Sequence, residues 1–364
     1  MATARLAGPG SLWQTARMRV LVYEWCCSGG LTGPDAAPLV PAAASPADLE
    51  SLAREGRAMF LEVLRDGCRA PGLDMHAVVD ATRPVAVPAG VQVHPVAAGD
   101  ECDSLVAVAK ACDIALLIAP ETEGLLARRV AAVRAAGVDV IAPGPRFIDL
   151  ASDKQATILA LAAAGIPVPA GRELAAGESW PTGFRRPAVG KRLDGVGCDG
   201  LIRVGNHAAS PPAAGFPLRI EAAVDGLPVG VACLCRSGRT MTLPPMIQLF
   251  STRNAPGYIG GEPLTSPSLH HRAISLAVRS MAALERAAGD KARGWVGVDM
   301  ILGPRDDGRG DRVLEVNPRL TTSFLGHAAG CERSLLAELV APSENAPPIH
   351  VTPRPFDLAT HAHS

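Results

Sequence analysis

The sequence has no CxxC pair, no apolar run long enough to span a membrane, and no surplus of charge of either sign. Each absence excludes something. Without CxxC pairs nothing argues for a structural zinc site. The nine cysteines, with adjacent Cys26–Cys27 and alternating Cys233/Cys235, show no disulfide framework. In a chain this long they read as reduced thiols in a cytoplasm. A spanning helix needs about 20 apolar residues, and no run approaches that, so no membrane partner is expected. With 35 basic and 36 acidic residues the net charge is −1, which leaves no footprint for nucleic acid or an anionic surface. Residues 1–17, MATARLAGPGSLWQTAR, lack the apolar block of a signal peptide and read as a disordered extension. No internal repeat is present.

What is present is ample core material. A chain of 364 residues, 48% of them hydrophobic, suggests two or three packed units. From Met18 to about residue 150, short apolar runs alternate with helical patterns. RVLVYEW (19–25), DMHAVVD (74–80), CDIALLIA (112–119) and DVIAPG (139–144) read as strands. Between them lie a helix from Ser45-Pro46 to about Asp66 and another in ETEGLLARRVAAVRAAG, ended by Gly137. This alternation predicts a parallel α/β layer.

A second unit starts near residue 150. LASDKQATILALAAAGIPVP reads as a helix with Ser152 as N-cap and Gln155 completing a capping box. RPAVGKRLDGVGCDGLIRV (186–204) reads as a hairpin with a long glycine-rich tip, and RIEAAVDGLPVGVACLC (219–235) as two strands joined around Asp225-Gly226. Ser266-Pro267 opens a helix to about Gly289. GWVGVDMILG and DRVLEVNP are strands joined by the loop 303–312. After residue 340 the chain is Pro/Ala-rich and reads as a tail along the surface.

The run LEVNPRLTTS (314–323) carries the most chemistry. On a strand, side chains alternate between faces, so Glu315, Asn317 and Arg319 project together while Leu314 and Val316 enter the core. If this strand pairs antiparallel with 295–302, Asp299 joins Glu315 and Asn317. Two carboxylates and an amide oxygen are hard donors that suit Mg²⁺ or Mn²⁺ shared with substrate phosphates. Arg319 beside them can hold a phosphoryl oxygen. A plain surface ion pair and a strand-end cap are the bland alternative. Lys191 precedes Gly195, Gly197 and Gly200, whose backbone N–H groups can close over an anion; a flexible hairpin explains the glycines equally well. Lys154 sits in a first helical turn, against the dipole, where a solvated lysine is the ordinary reading. Glu24, at the end of the first strand, is a candidate for the ammonium of an amino acid, and Arg253 for a phosphate or carboxylate. The nine histidines are scattered and read as structural or solvated.

In this order, a capped helix with an early lysine, a strand ending in lysine and a glycine-rich tip, Glu221 before a turn, then Asp299 and EVNPR, the chain resembles the ATP-grasp superfamily over residues 18–340. VLVYEWCCSGGL, IAPETEG and EVNPRLTTSF further resemble the tyramine–glutamate ligase group of methanofuran biosynthesis. The resemblance implies an α/β fold, α+β in its C-terminal part: a Rossmann-like pre-ATP-grasp domain (18–150), a lid subdomain (151–220), a C-terminal subdomain with the metal site (221–340) and a tail (341–364). It implies that Lys154, Lys191 and the tip with Gly195 and Gly197 contact ATP, with Glu221 and the backbone near Val224 on the adenine. Asp299, Glu315 and Asn317 would bind two Mg²⁺ or Mn²⁺, and Arg319 would stabilise the transferring phosphoryl group. The implied reaction joins glutamate to an aromatic amine, tyramine or tyrosine-like, through an acyl phosphate. A homodimer stays open. So do an ATP-grasp amino-acid or peptide ligase with another acceptor, a phosphotransferase, and a nucleotide-binding regulator without turnover. Three departures stand out: Arg192 where proline often follows the lysine, Cys198 within the glycine run, and Pro228 where many relatives place a ribose-binding acid.

Overall fold

In the computed structural model, which describes residues 17–36, 46–196, 201–236, 238–251, 257–341 and 348–361, three β-sheets follow one another along the chain. The expected extension at residues 1–17 lies, but for its last residue, outside that set. The first sheet has five parallel strands in the order β3-β2-β1-β4-β5: β1 (Met18–Glu24), β2 (Leu73–Asp80), β3 (Gln92–Val96), β4 (Ile114–Ile118) and β5 (Asp139–Val140). The central strands β1 and β4 are continuous apolar runs because both faces are covered. Val20 and Val22 pack on helix α1 (Pro46–Cys68), while Leu21 and Tyr23 pack on α2 (Glu101–Ala109) and α3 (Leu125–Ala135). Strand β3 carries a proline and is largely exposed, as an edge strand can be.

Two short helices, α4 (Pro145–Ser152) and α5 (Lys154–Ala163), lead into the second sheet, which is antiparallel in the order β6-β9-β7-β8: β6 (Gly171–Leu174), β7 (Ala188–Arg192), β8 (Ile202–Val204) and β9 (Leu218–Ala222). The expected cap at Ser152 is corrected here. Ser152 ends α4, and Asp153 caps α5 by accepting the Ala156 N–H at 2.9 Å. A carboxylate one residue later in the sequence is the better acceptor for that first turn.

The third sheet runs β15-β14-β10-β12-β13-β16, with β11 alongside β10: β10 (Leu227–Arg236), β11 (Arg239–Thr242), β12 (Met246–Phe250), β13 (Tyr258–Pro263), β14 (Gly294–Leu302), β15 (Arg312–Asn317) and β16 (Phe356–Asp357). One face packs on α4, α5 and the long α6 (Pro267–Ala288), through Phe147, Leu161, Val229, Val296 and Met281. The other face packs on α7 (Phe324–Ala329) and α8 (Leu335–Val340), and these pack in turn on α1, so α1 is shared by the first and third sheets.

Strands β9 and β10 follow one another but belong to different sheets. Gly226, between them, has φ 145°, and a Cβ there would lie 2.2 Å from the Leu302 carbonyl oxygen, so only glycine fits where the chain crosses. The segment after 340 is more than a surface run. Its strand β16 pairs with β13, Val351 bridges to Cys331, and Phe356 and Leu358, the latter opening α9 (Leu358–His361), are buried. No helix among the described residues is long and apolar enough to cross a membrane.

Candidate functional site

The second and third sheets face each other across a cavity of about 580 Å³. Its floor is the α1-side face of β10, β14 and β15, just past the apolar stretch around Trp295. Its roof is β7 to β9. Glycines at 230 and 297 keep the floor low; a Cβ on Gly297 would sit 2.6 Å from the Thr321 methyl.

Strands β14 and β15 pair antiparallel with Asp299 opposite Glu315 and Gly297 opposite Asn317, a bulge following Asp299. The expected juxtaposition of these side chains therefore follows from register. Asp299 accepts from Gln248 Nε2 at 2.9 Å and from Asn317 Nδ2 at 3.0 Å. Burial and the neighbouring Glu315 charge push its carboxyl up to about 7. Glu315 goes the other way: burial raises it, but the charges of Lys154, Lys191 and Arg319 outweigh that and hold it below the ordinary range. Two half-buried carboxylates side by side repel each other strongly. A divalent cation would remove that repulsion, and with the Asn317 amide the donors are all oxygen, so the set fits Mg²⁺ or Mn²⁺ completed by substrate phosphates. No three His, Cys, Asp or Glu side chains gather into a metal cluster among the described residues.

Cations line the same cavity. Lys154 Nζ is 3.2 Å from Glu315 Oε2 and also donates to the Gly195 carbonyl. Lys191 and Glu221 share one face of paired β7 and β9, with Lys191 Nζ 2.5 Å from Glu221 Oε1. Val224 lies in the crossing from β9 to β10 and lines the cavity with them. Arg319 Nε lies 3.0 Å from Glu121 Oε1, an ion pair too poorly aligned to be a hydrogen bond. Burial works against the Arg319 charge, and Glu121, Glu55 and Glu315 more than offset it.

Of the residues singled out in the sequence, Gly197 and Arg253 lie outside the described set, as do Cys198 and Gly200. Glu24 is not brought to the cavity. It is 3% exposed and accepts the Cys27 N–H at 2.9 Å. It lies so close to α1 that a Cβ on Gly56 would be 2.4 Å from Glu24 Oε1. The end of a parallel strand reads as open in sequence, but here α1 covers it.

Three residues went unread. Arg219, 2% exposed, donates to Glu221 at 3.2 Å, to Gln155 and to the Pro169 carbonyl at 3.0 Å, which fixes Glu221. Glu121 holds Arg319 from the IAPETEG stretch. Glu55 of α1 reaches the cavity from the first domain. Only the alternation of Arg219 with Glu221 across Ile220 hinted at Arg219, and nothing local hinted at Glu55.

Arg192, the departure after Lys191, has its own structural use. It pairs with Glu123 at 2.9 Å and with Asp194 at 2.8 Å. Asp194 in turn accepts the Glu123 N–H at 2.7 Å, and its carbonyl accepts from Thr122 Oγ1 at 2.8 Å. The base of the glycine-rich tip is thus tied to the first domain.

Residues 151–323 match the family model of the ATP-grasp domain and residues 75–147 that of the pre ATP-grasp 3 domain. No curated protein matches. Among solved structures, the chain is similar to a protein assigned to the ATP-grasp superfamily from Archaeoglobus fulgidus (18% identity, 93% of this chain and 99% of that one, TM-score 0.64). It is also similar to an L-amino acid ligase from Bacillus licheniformis (13%, 90% and 74%, 0.57). A third similar structure is the carboxyaminoimidazole ribonucleotide synthase from Aspergillus clavatus, complexed with ATP (17%, 89% and 76%, 0.60).

Proposed function

Because the chain carries a pre-ATP-grasp domain followed by an ATP-grasp domain with the corresponding fold, we propose that it is an ATP-dependent, ADP-forming ligase that joins a carboxylate to an amine. The observation that carries this reading is one cavity in which Asp299, Glu315 and Asn317 on paired strands face Lys154, Lys191 and Arg319. Such a site neutralises a transferring phosphoryl group from both sides.

Lys154 and Lys191 hold ATP phosphates, exchanging their present carboxylate partners for them. Glu221, fixed by Arg219, and the backbone near Val224 meet the adenine. Asp299, Glu315 and Asn317 would hold two divalent cations, Mg²⁺ or Mn²⁺, which when bound would supply further charge neutralisation at the phosphates. Arg319 steadies the γ-phosphoryl group as the substrate carboxylate attacks it, giving an acyl phosphate and ADP. The amine then attacks that carbonyl and phosphate leaves. The roof sheet excludes the water that would hydrolyse the acyl phosphate.

The substrates we propose are L-glutamate and an aromatic amine, tyramine or tyrosine-like, as in methanofuran-type cofactor assembly. The resemblance of VLVYEWCCSGGL, IAPETEG and EVNPRLTTSF supports this choice. The likeness to an L-amino acid ligase favours, as a second reading, an amino acid as the acceptor. The test is ADP and phosphate release with Mg²⁺ or Mn²⁺, ATP and L-glutamate, with and without tyramine, tyrosine or other amino acids. Amine-dependent release with the mass of the amide establishes the ligase and its acceptor. Tight ATP binding without release under any of these conditions refutes it in favour of a regulator, and ADP release without free phosphate points to a phosphotransferase.

A further inference from the structure

Among the described residues, Glu55 is the one acidic side chain before residue 150 that lines the cavity. It sits on α1, immediately before Gly56, the residue whose missing side chain lets α1 settle onto the Glu24 carboxylate. That close approach fixes the height of the helix and so the place where Glu55 enters. Among the described residues Glu55 has no hydrogen-bond or ion-pair partner, unlike Glu221 and Glu315, each held by a lysine. The positive charges acting on it are those of Arg319 and Arg54, and burial pushes its carboxyl up to about 7. Tyr258 and Phe250 line the same cavity with their rings edge to face at 5.8 Å, and the Tyr258 hydroxyl lies against the Thr322 side chain.

A carboxylate that no described cation contacts directly, sharing the cavity with the Tyr258–Phe250 aromatic wall, is arranged to take a cationic group carried on an apolar body. We propose that Glu55 receives the ammonium of the amine substrate against the Tyr258–Phe250 wall and takes a proton from it. This inference rests on the ligase reading above. The proton balance is complete. The ammonium gives one proton to Glu55, its freed lone pair forms the C–N bond to the acyl-phosphate carbonyl, and the C–O bond to phosphate breaks with its electron pair. The second proton leaves nitrogen for the departing phosphate. A base whose proton affinity sits near neutrality suits that transfer. Glu24, read in sequence as a candidate for the ammonium of an amino acid, is sealed beneath α1 at Gly56.

The experiment compares wild type, Glu55→Gln and Glu55→Asp with ATP, Mg²⁺ and L-glutamate. It reads the hydroxamate formed with hydroxylamine and the amide formed with tyramine. Hydroxylamine is small and uncharged at neutral pH, so it traps an acyl phosphate without an ammonium site. In Glu55→Gln, kcat/KM for tyramine is expected to fall by about 100-fold or more, while hydroxamate formation falls far less and shows that the variant is folded. Glu55→Asp should recover part of the loss. Tyramine should compete with hydroxylamine in wild type and lose that competition in Glu55→Gln. Equal losses in both products, no loss in either, or a wild type in which tyramine neither yields amide nor slows hydroxamate would each overturn the proposal. No hydroxamate from wild type at all overturns the ligase reading itself, and is read apart from the tyramine results.

Discussion

Replacing Asp66 by asparagine should make the protein more stable above pH 7 and flatten part of its pH dependence. Asp66 lies near the end of α1, 1% exposed, and one oxygen, Oδ2, accepts both from Ser334 Oγ and from the Leu336 N–H at 2.8 Å. It therefore pins the start of α8 to the first domain. Those bonds favour the charged form, yet burial outweighs them and raises the carboxyl from 3.8 to about 6. A native pKa above the unfolded one means that the protonated form is what the fold favours. The corresponding stability is fully present below about pH 4 and is lost as pH rises through about 6. A shift of about two pH units is worth about 3 kcal/mol. Because both donors meet the same oxygen, an asparagine amide oxygen can keep both bonds. What it gives up is the Arg69 contact at 3.5 Å, with Arg69 42% exposed, worth about 0–1 kcal/mol. The net gain at pH 8 is about 1–3 kcal/mol, and by pH 4 it should vanish or change sign. Urea denaturation of both proteins from pH 4 to 8 measures it. A wild-type-minus-variant difference that does not move with pH would show that the burial argument is wrong.

Other outcomes follow from the same geometry. Glu315→Ala should lower kcat by about 1000-fold or more while the protein stays folded; it should also lose the Mg²⁺-dependent rise in Tm that wild type shows by differential scanning fluorimetry. Glu121→Gln removes the charge that holds Arg319 but no group that meets substrate, so kcat should fall about 10- to 100-fold with KM for ATP nearly constant in steady-state assays. Gly226→Ala forces a Cβ into the Leu302 carbonyl at a φ of 145°; denaturation should show a loss of about 2–4 kcal/mol.

The parts of this protein that could be read from sequence were those whose signal is local. The β14–β15 pairing was legible because a short polar loop left antiparallel pairing as the simple solution, and alternation set Asp299, Glu315 and Asn317 on one face; the bulge after Asp299 was not, and it buries Val313 while Leu314, expected in the core, lines the cavity. The central strands β1 and β4 announced themselves by unbroken apolar runs. What failed was whatever depends on a distant partner. Strand β3, with Pro95 and three polar or exposed positions, becomes a strand only because β2 offers it an edge. The Ser152 cap looked sound until two helices, rather than one, were found to meet there. Glu24 and Glu55 carry the same carboxylate, and only the docking of α1 at Gly56 decides which of them is sealed in and which looks into the cavity.

The ties among Arg192, Asp194, Thr122 and Glu123 join segments some 70 residues apart, and their consequence is one of time. Any movement that lifts the roof from this side of the cavity separates residue 194 from residues 122–123 before anything inside can leave. Two hydrogen bonds at about 1 kcal/mol net each, with a further part of a half-exposed ion pair, amount to about 2–3 kcal/mol. On an activation barrier that is about 30- to 160-fold in rate. Of these four residues only Arg192 lines the cavity, so the ties bear on how long it stays shut more than on what it selects.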